Sequence, residues 1–146
     1  MKQKSLTIGI ILCILLLMIT GCNSKKDNIN NSNEVVKSVK AVINDNEYII
    51  NLESNETAQQ FASILPQELN MKELNGNEKY IYLDRSFPTN PYYPQKIYAG
   101  DVMLYGDNCL VIFYKSFNSD FSYTKIGHID NLPGLGNGNI IVKFEK

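Results

Sequence analysis

Hydrophobic positions along the chain fall into three regimes. Residues 5–24 carry no charge and are mostly apolar, residues 23–34 are almost all Asn, Ser, Lys and acid, and from Val35 onward apolar residues recur at regular spacing between turn residues. The third regime predicts short strands. Val35–Ile43 is rich in Val, Asn44-Asp45-Asn46 is a turn, and Glu47–Leu52 alternates with Tyr48, Ile50 and Leu52 on one face, which predicts a hairpin. Leu69–Leu74 and Lys79–Leu83 flank Asn75-Gly76-Asn77, and Asn-Gly between alternating segments signals a second hairpin. Asp101–Tyr105 and Cys109–Lys115, joined by Gly106-Asp107-Asn108, predict a third. Tyr123–Ile129 and Ile140–Glu145 follow as strands, the latter with Ile140, Val142 and Phe144 inward, and Ile97-Tyr98 adds a short strand before Gly100. The run Cys109-Leu110-Val111-Ile112-Phe113-Tyr114 is apolar at every position, as in a strand covered on both faces. The expected covers are a barrel interior on one side and a helix on the other.

One segment carries a helical period. Ala58, Phe61, Ala62 and Leu65 fall at i, i+3, i+4 and i+7 and form one apolar stripe. Ser54 or Asn55 caps its start, Glu56 in the first turn suits the helix dipole, and Pro66 stops it after about ten residues. A helix that short needs a sheet to lie against. Ser86–Lys96, with three of the five prolines, is a long loop. Ser116–Ser122 reads as a polar loop holding Phe117 and Phe121, and Asp130–Asn139 as a turn region with one helical turn. About eight short strands and one packed helix, with no long helical crossovers, predict a mainly β domain over residues 35–146, a closed eight-stranded barrel with one helix on it.

The first two regimes concern address. Lys2 and Lys4 open the chain, Leu6–Ile19 is an apolar core, and small residues lead to Cys22. That order describes a secretory signal peptide over residues 1–21. Ile19-Thr20-Gly21-Cys22 resembles a bacterial lipobox, with Ile where Leu is usual, and the resemblance implies that Cys22 is acylated, with palmitate-type chains, and begins the mature protein. Residues 22–34 are then the lipidated Cys and a disordered tether that buries nothing. A plain membrane span is the rival reading, since a bilayer needs about 20 apolar residues; the end at Gly-Cys favours the lipid. Each buried methylene contributes roughly 0.8 kcal/mol, so two or more chains hold firmly. The expected place is the outer face of a bacterial cell membrane.

Composition narrows the partners. The chain has 146 residues, and removing Lys2 and Lys4 with the leader leaves 12 basic residues against 15 acidic ones, a net of −3. A mildly acidic domain without a basic stripe argues against nucleic acid as a partner. Beyond Cys13 and Cys22 only Cys109 remains, so the folded part has no internal disulfide, and Cys109 reads as a buried, inert thiol.

Candidate chemistry is sparse. The single His128 cannot build a His cluster for a metal, and neither a metal nor a cofactor is expected. Gly134-Leu135-Gly136-Asn137-Gly138-Asn139 misses the third Gly of a dinucleotide loop and has no following helix, so it reads as a turn. Asp101 and Asp107 flank one strand, and each reads as a turn residue. The aromatics say more. Eight of the nine Tyr lie between Tyr80 and Tyr123. Tyr joins an apolar body to a polar tip, which suits a binding surface. The candidate ligand-binding set is Arg85, Phe87, Tyr92, Tyr93, Tyr98 and Tyr105, centred on the Pro-rich loop; simple filling and covering of a small barrel is the competing account.

The segments "LNMKELNGNEKYIYL", "GDVMLYGDNCLVIFYKSF" and "SYTKIGHID" resemble a family of small bacterial cyclophilin-like domains, some of them lipoproteins. The likeness covers about Val39–Glu145 and implies a closed eight-stranded cyclophilin-type barrel. The name suggests prolyl isomerisation, which must lower a barrier of roughly 18–20 kcal/mol. True cyclophilins use an Arg beside an apolar pocket, with a Phe-His-Arg signature and a nearby Gln. Here Arg85 is the single Arg, it stands in Asp84-Arg85-Ser86, and the chain has no Trp. No catalytic residue carries over. The expected function is non-catalytic binding of a peptide, protein segment or small ligand, with an envelope prolyl isomerase and a ligand-free accessory lipoprotein as rivals. Oligomeric state is left open.

Overall fold

A computed structural model of the chain describes residues 34–146. The expected signal peptide, Cys13, Cys22 and all of the expected tether except Glu34 lie outside the described residues.

Ten strands and one helix follow in the order β1 (Ser38–Ile43), β2 (Asn46–Leu52), α1 (Glu56–Ser63), β3 (Gln67–Leu74), β4 (Glu78–Tyr82), β5 (Gln95–Ile97), β6 (Asp101–Tyr105), β7 (Cys109–Phe113), β8 (Phe117–Ser119), β9 (Thr124–Ile129) and β10 (Ile140–Glu145). Eight strands close an antiparallel barrel in the order β1-β10-β3-β4-β7-β6-β9-β2. These are the eight barrel strands that periodicity predicts. The first hairpin turns through Asn44 and Asp45, whose φ values of +48° and +63° match the paired positive φ of a tight two-residue turn.

Inward positions of every barrel strand feed one core, among them Ala41, Ile50, Met71, Leu104, Ile112 and Val142. The stripe Ala58, Phe61, Ala62 and Leu65 joins that same core, with the Phe61 ring edge-on to Phe144 at 5.4 Å. Asn55 caps α1 by accepting from the Ala58 amide at 2.8 Å and ties it to β9 by donating to the Lys125 carbonyl at 2.7 Å. Because its apolar stripe belongs to the barrel core, α1, which links β2 to β3, packs against the interior and not on an outer face.

The outer cover of β7 is therefore not the helix. All five residues of β7 are buried. Leu110 and Ile112 point into the barrel, whereas Cys109, Val111 and Phe113 join a second cluster with Ile97, Met103 and Tyr123, against which Tyr80 and Phe117 pack. Ile97 and Phe117 in that layer come from a separate two-stranded ribbon, β5 paired with β8 through Gln95↔Ser119 and Ile97↔Phe117. Ser116–Ser122 thus contains a strand where a polar loop is expected, because a three-residue strand is too short to show a period. The short strand before Gly100 lies at Gln95–Ile97, earlier than its expected place at Ile97-Tyr98.

Residues 130–139 form no helical turn. They run as an irregular cover whose Leu132 and Leu135 enter the barrel core. Lys79, fully buried, holds this cover by donating to the carbonyls of Gly136 at 2.7 Å and Gly138 at 2.6 Å, and it pairs with Glu73. The Tyr114 hydroxyl donates to the other Glu73 oxygen at 2.8 Å. Burial works to raise the Glu73 carboxyl, but Lys79 and Tyr114 together hold it below its ordinary value.

Candidate functional site

Strand alternation on β4 turns Lys79 and Ile81 inward and leaves Glu78, Tyr80 and Tyr82 on the outer face. Pairing then lines up rows across the outside of the barrel. Tyr82 and Tyr105 both face Cys109, Tyr80 and Met103 both face Val111, and Glu78 faces Phe113. The small side chains of Cys109 and Val111 sit between larger ones, so the rows form a trough. Tyr80 and Tyr82 make one wall, their rings edge-to-face at 6.0 Å. Tyr105, Tyr123 and Phe121 make the other; Tyr105 lies 6.1 Å edge-on from Phe121 and 5.7 Å from Tyr123. Phe117 of the ribbon and Leu74, Asn75 and Asn77 of the β3–β4 hairpin complete a groove of about 350 Å³. Such a volume suits a small ligand or a few side chains.

Glu78 is the only charged residue lining the groove. Burial, with a smaller contribution from the nearby Glu73 charge, pushes its carboxyl up to about 7. The Cys109 thiol on the floor is pushed up to about 11 by burial and by the Glu78 charge, which makes it a poor nucleophile.

The six candidate residues do not gather in one place. Tyr105 lines the groove. Phe87 is 5% exposed and belongs to the barrel core. Arg85 is exposed in the loop after β4. Tyr92 forms an isolated bridge with Tyr123, each amide donating to the other's carbonyl at 3.0 Å. Tyr93 is exposed, and exposed Tyr98 carries Lys96 Nζ 5.2 Å from its ring centre. The other groove residues are absent from that set, among them Glu78, Tyr80, Tyr82, Phe117, Phe121 and Tyr123. The signal available for three of them is Glu78-Lys79-Tyr80-Ile81-Tyr82, where alternation puts two aromatics on the face expected to be polar.

A second polar cluster lies at the start of β6. Asp101, 2% exposed, accepts from the Tyr98 amide at 2.8 Å and so does serve a turn; it also meets His128 Nδ1 at 3.0 Å and Lys125 Nζ at 3.3 Å. His128 is half-buried and Asp107 exposed. Gly100 beside this cluster has φ +99°, and a Cβ there would stand 2.1 Å from the Ile129 carbonyl oxygen. Glycine is what lets these two backbones meet. Among the described residues no group of three or more His, Cys, Asp or Glu is placed to hold a metal, and no helix is long and apolar enough to cross a membrane.

A family model described as the cyclophilin-like family matches residues 41–145. No curated protein and no solved structure matches the chain.

Proposed function

The chain belongs to the cyclophilin-like family, and from that fold we propose that it is a binding domain, without chemistry of its own, that takes a small ligand or a short peptide segment in the outer-face groove. The observation that carries this reading is the trough itself: Cys109 and Val111 as a low floor between two walls of aromatic rings. Aromatic walls contribute large contact area at little conformational cost. Arg85, the donor that a prolyl isomerase of this fold would need, stands in an exposed loop and not in the groove lining. That favours binding over catalysis.

The address belongs to the same proposal. Ile19-Thr20-Gly21-Cys22 supports a lipid on Cys22, and the polar residues 23–34 support a tether that lets the domain stand clear of the bilayer at the outer face of a bacterial membrane. Metabolic labelling with a fatty acid is expected to mark the wild type and not Cys22→Ala; equal label on both removes the anchor.

The groove is tested with 3-fluorotyrosine-labelled protein and a panel of aromatic fragments and Pro-containing tetrapeptides, read by fluorine NMR. Ligands are expected to shift Tyr80, Tyr82, Tyr105 and Tyr123 and to spare Tyr48. Shifts confined to Tyr92, Tyr93 and Tyr98 would move the site to the Pro-rich loop and defeat this reading.

A further inference from the structure

We propose that the groove is a site for an organic cation, a protonated amine or alkylated ammonium on an apolar stem, with the charge held at Glu78 and the stem along the tyrosine walls. The proposal rests on the groove being a binding site and adds what it binds.

Three observations point to a cation. Glu78 is the only charge in the lining, and among the described residues it has neither an ion-pair nor a hydrogen-bond partner. The nearest ammonium in sequence, Lys79, is turned into the barrel and spent on Glu73 and two carbonyls. Asn77, next to Glu78 in the lining, carries a buried Oδ1 without a partner and so brings no positive charge or engaged donor to this end of the groove. The walls are rings whose faces attract positive charge. An anion would meet Glu78 with Glu73 behind it. A neutral apolar ligand would bury the carboxylate further and give it nothing in return, and a neutral hydroxyl would give it a weaker bond than an ammonium does.

The groups facing Glu78 leave it as the titrating one between pH 5 and 8. Glu73 on β3 is held low, the Cys109 thiol lies near 11, Tyr114 is pushed up to about 12 by burial and by Glu73, and burial raises Tyr123. Glu78 itself is pushed up to about 7 by burial and by the Glu73 charge. A cation binds the ionised form, so its affinity rises with pH through about 7 and levels off above it.

The test uses the full chain in phosphatidylcholine nanodiscs, labelled with 3-fluorotyrosine, and two probes of one shape. These are 2-phenylethylamine, charged throughout the range, and 2-phenylethanol, neutral throughout. At pH 8 the amine is expected to shift the groove tyrosines at about tenfold lower concentration than the alcohol. That advantage should shrink at pH 5.5 and vanish in Glu78→Gln. Equal binding of both probes at pH 8 overturns the cation site and leaves the groove standing. So does an amine advantage that ignores pH or survives in Glu78→Gln. If neither probe moves Tyr80, Tyr82, Tyr105 or Tyr123, the groove reading falls as well.

Discussion

Replacing Lys79 with Met removes one ion from a buried pair and keeps the bulk of the side chain. Lys79 is fully buried, and the Glu73 side chain is 18% exposed, so the carboxylate left behind is largely cut off from water. Breaking such a pair from one side costs about 3–5 kcal/mol. The freed carbonyls of Gly136 and Gly138 add little, because both residues are exposed and water can replace the lysine. Domains of this size are stable by about 5–15 kcal/mol, so roughly a fifth or more of the total is at stake and the midpoint should fall by about 15 °C. The sign of the pH dependence follows from Glu73. In the wild type its carboxyl is held low, so its stabilising effect is present above the ordinary carboxylate range and lost as pH falls through its folded value. Without Lys79, burial dominates and raises it, and stability is then lost as pH rises. The deficit of Lys79→Met should therefore be largest near pH 7.5 and shrink toward pH 4. Urea unfolding at both pH values on residues 34–146, which close a core of their own, measures it. Lys79→Met/Glu73→Gln should recover at least half the loss. A deficit under about 1 kcal/mol at pH 7.5, or one unchanged at pH 4, would refute the account of Lys79 as the buried counter-ion of Glu73.

Glu78 gives the opposite slope. Its folded value of about 7 exceeds the ordinary 4.5, so its contribution is intact below about 4.5 and is lost as pH climbs to 7; Glu78→Gln should flatten that part of the stability–pH curve and be more stable than wild type at pH 8. Gly100→Ala forces a Cβ to within 2.1 Å of a backbone oxygen at a left-handed φ, and should destabilise by about 3 kcal/mol or more in urea, against less than about 0.5 for Gly106→Ala's steric part, where no atom lies within 4 Å. Cys109, 4% exposed with its thiol near 11, should react with iodoacetamide at pH 8 at least about 100-fold more slowly in the folded protein than in urea; equal rates would mean the groove floor is open.

The barrel was legible in the sequence because its signals are local. Each hairpin turn carries its own chemistry, as Asn44-Asp45 and Asn75-Gly76 show with positive φ at all four residues. Most other barrel strands are long enough to display alternation, β7 shows an unbroken apolar run, and the stripe Ala58, Phe61, Ala62, Leu65 names the buried face of α1 directly. What escaped is non-local. β5 and β8 are three residues each and lie about twenty residues apart, so neither announces the other. The β7 run correctly demands two covers, but nothing in it distinguishes a helix from a ribbon. Lys79 stands at an inward position of a readable strand, yet its partners, two glycine carbonyls nearly sixty residues on, follow only from the closed fold.

The groove lies apart from the neighbourhood to which the aromatic count alone points. The aromatics of the Pro-rich loop fall into different surroundings: Phe87 is drawn into the core, Tyr92 is tied to Tyr123 through its backbone, and Tyr93 is exposed to solvent. The tyrosines that do share a surface are set by strand register, which brings Tyr82 of β4 and Tyr105 of β6 to either side of Cys109 on β7. Covering alone does not explain that row. Tyr82 is 62% and Tyr105 43% exposed, so the rings hide little of themselves, and the residue between them is small where a larger apolar side chain would shield the floor better. A row built large-small-large, open to solvent and closed at one end by an unpartnered carboxylate, has the shape of a receptor for something that brings its own apolar body and its own positive charge.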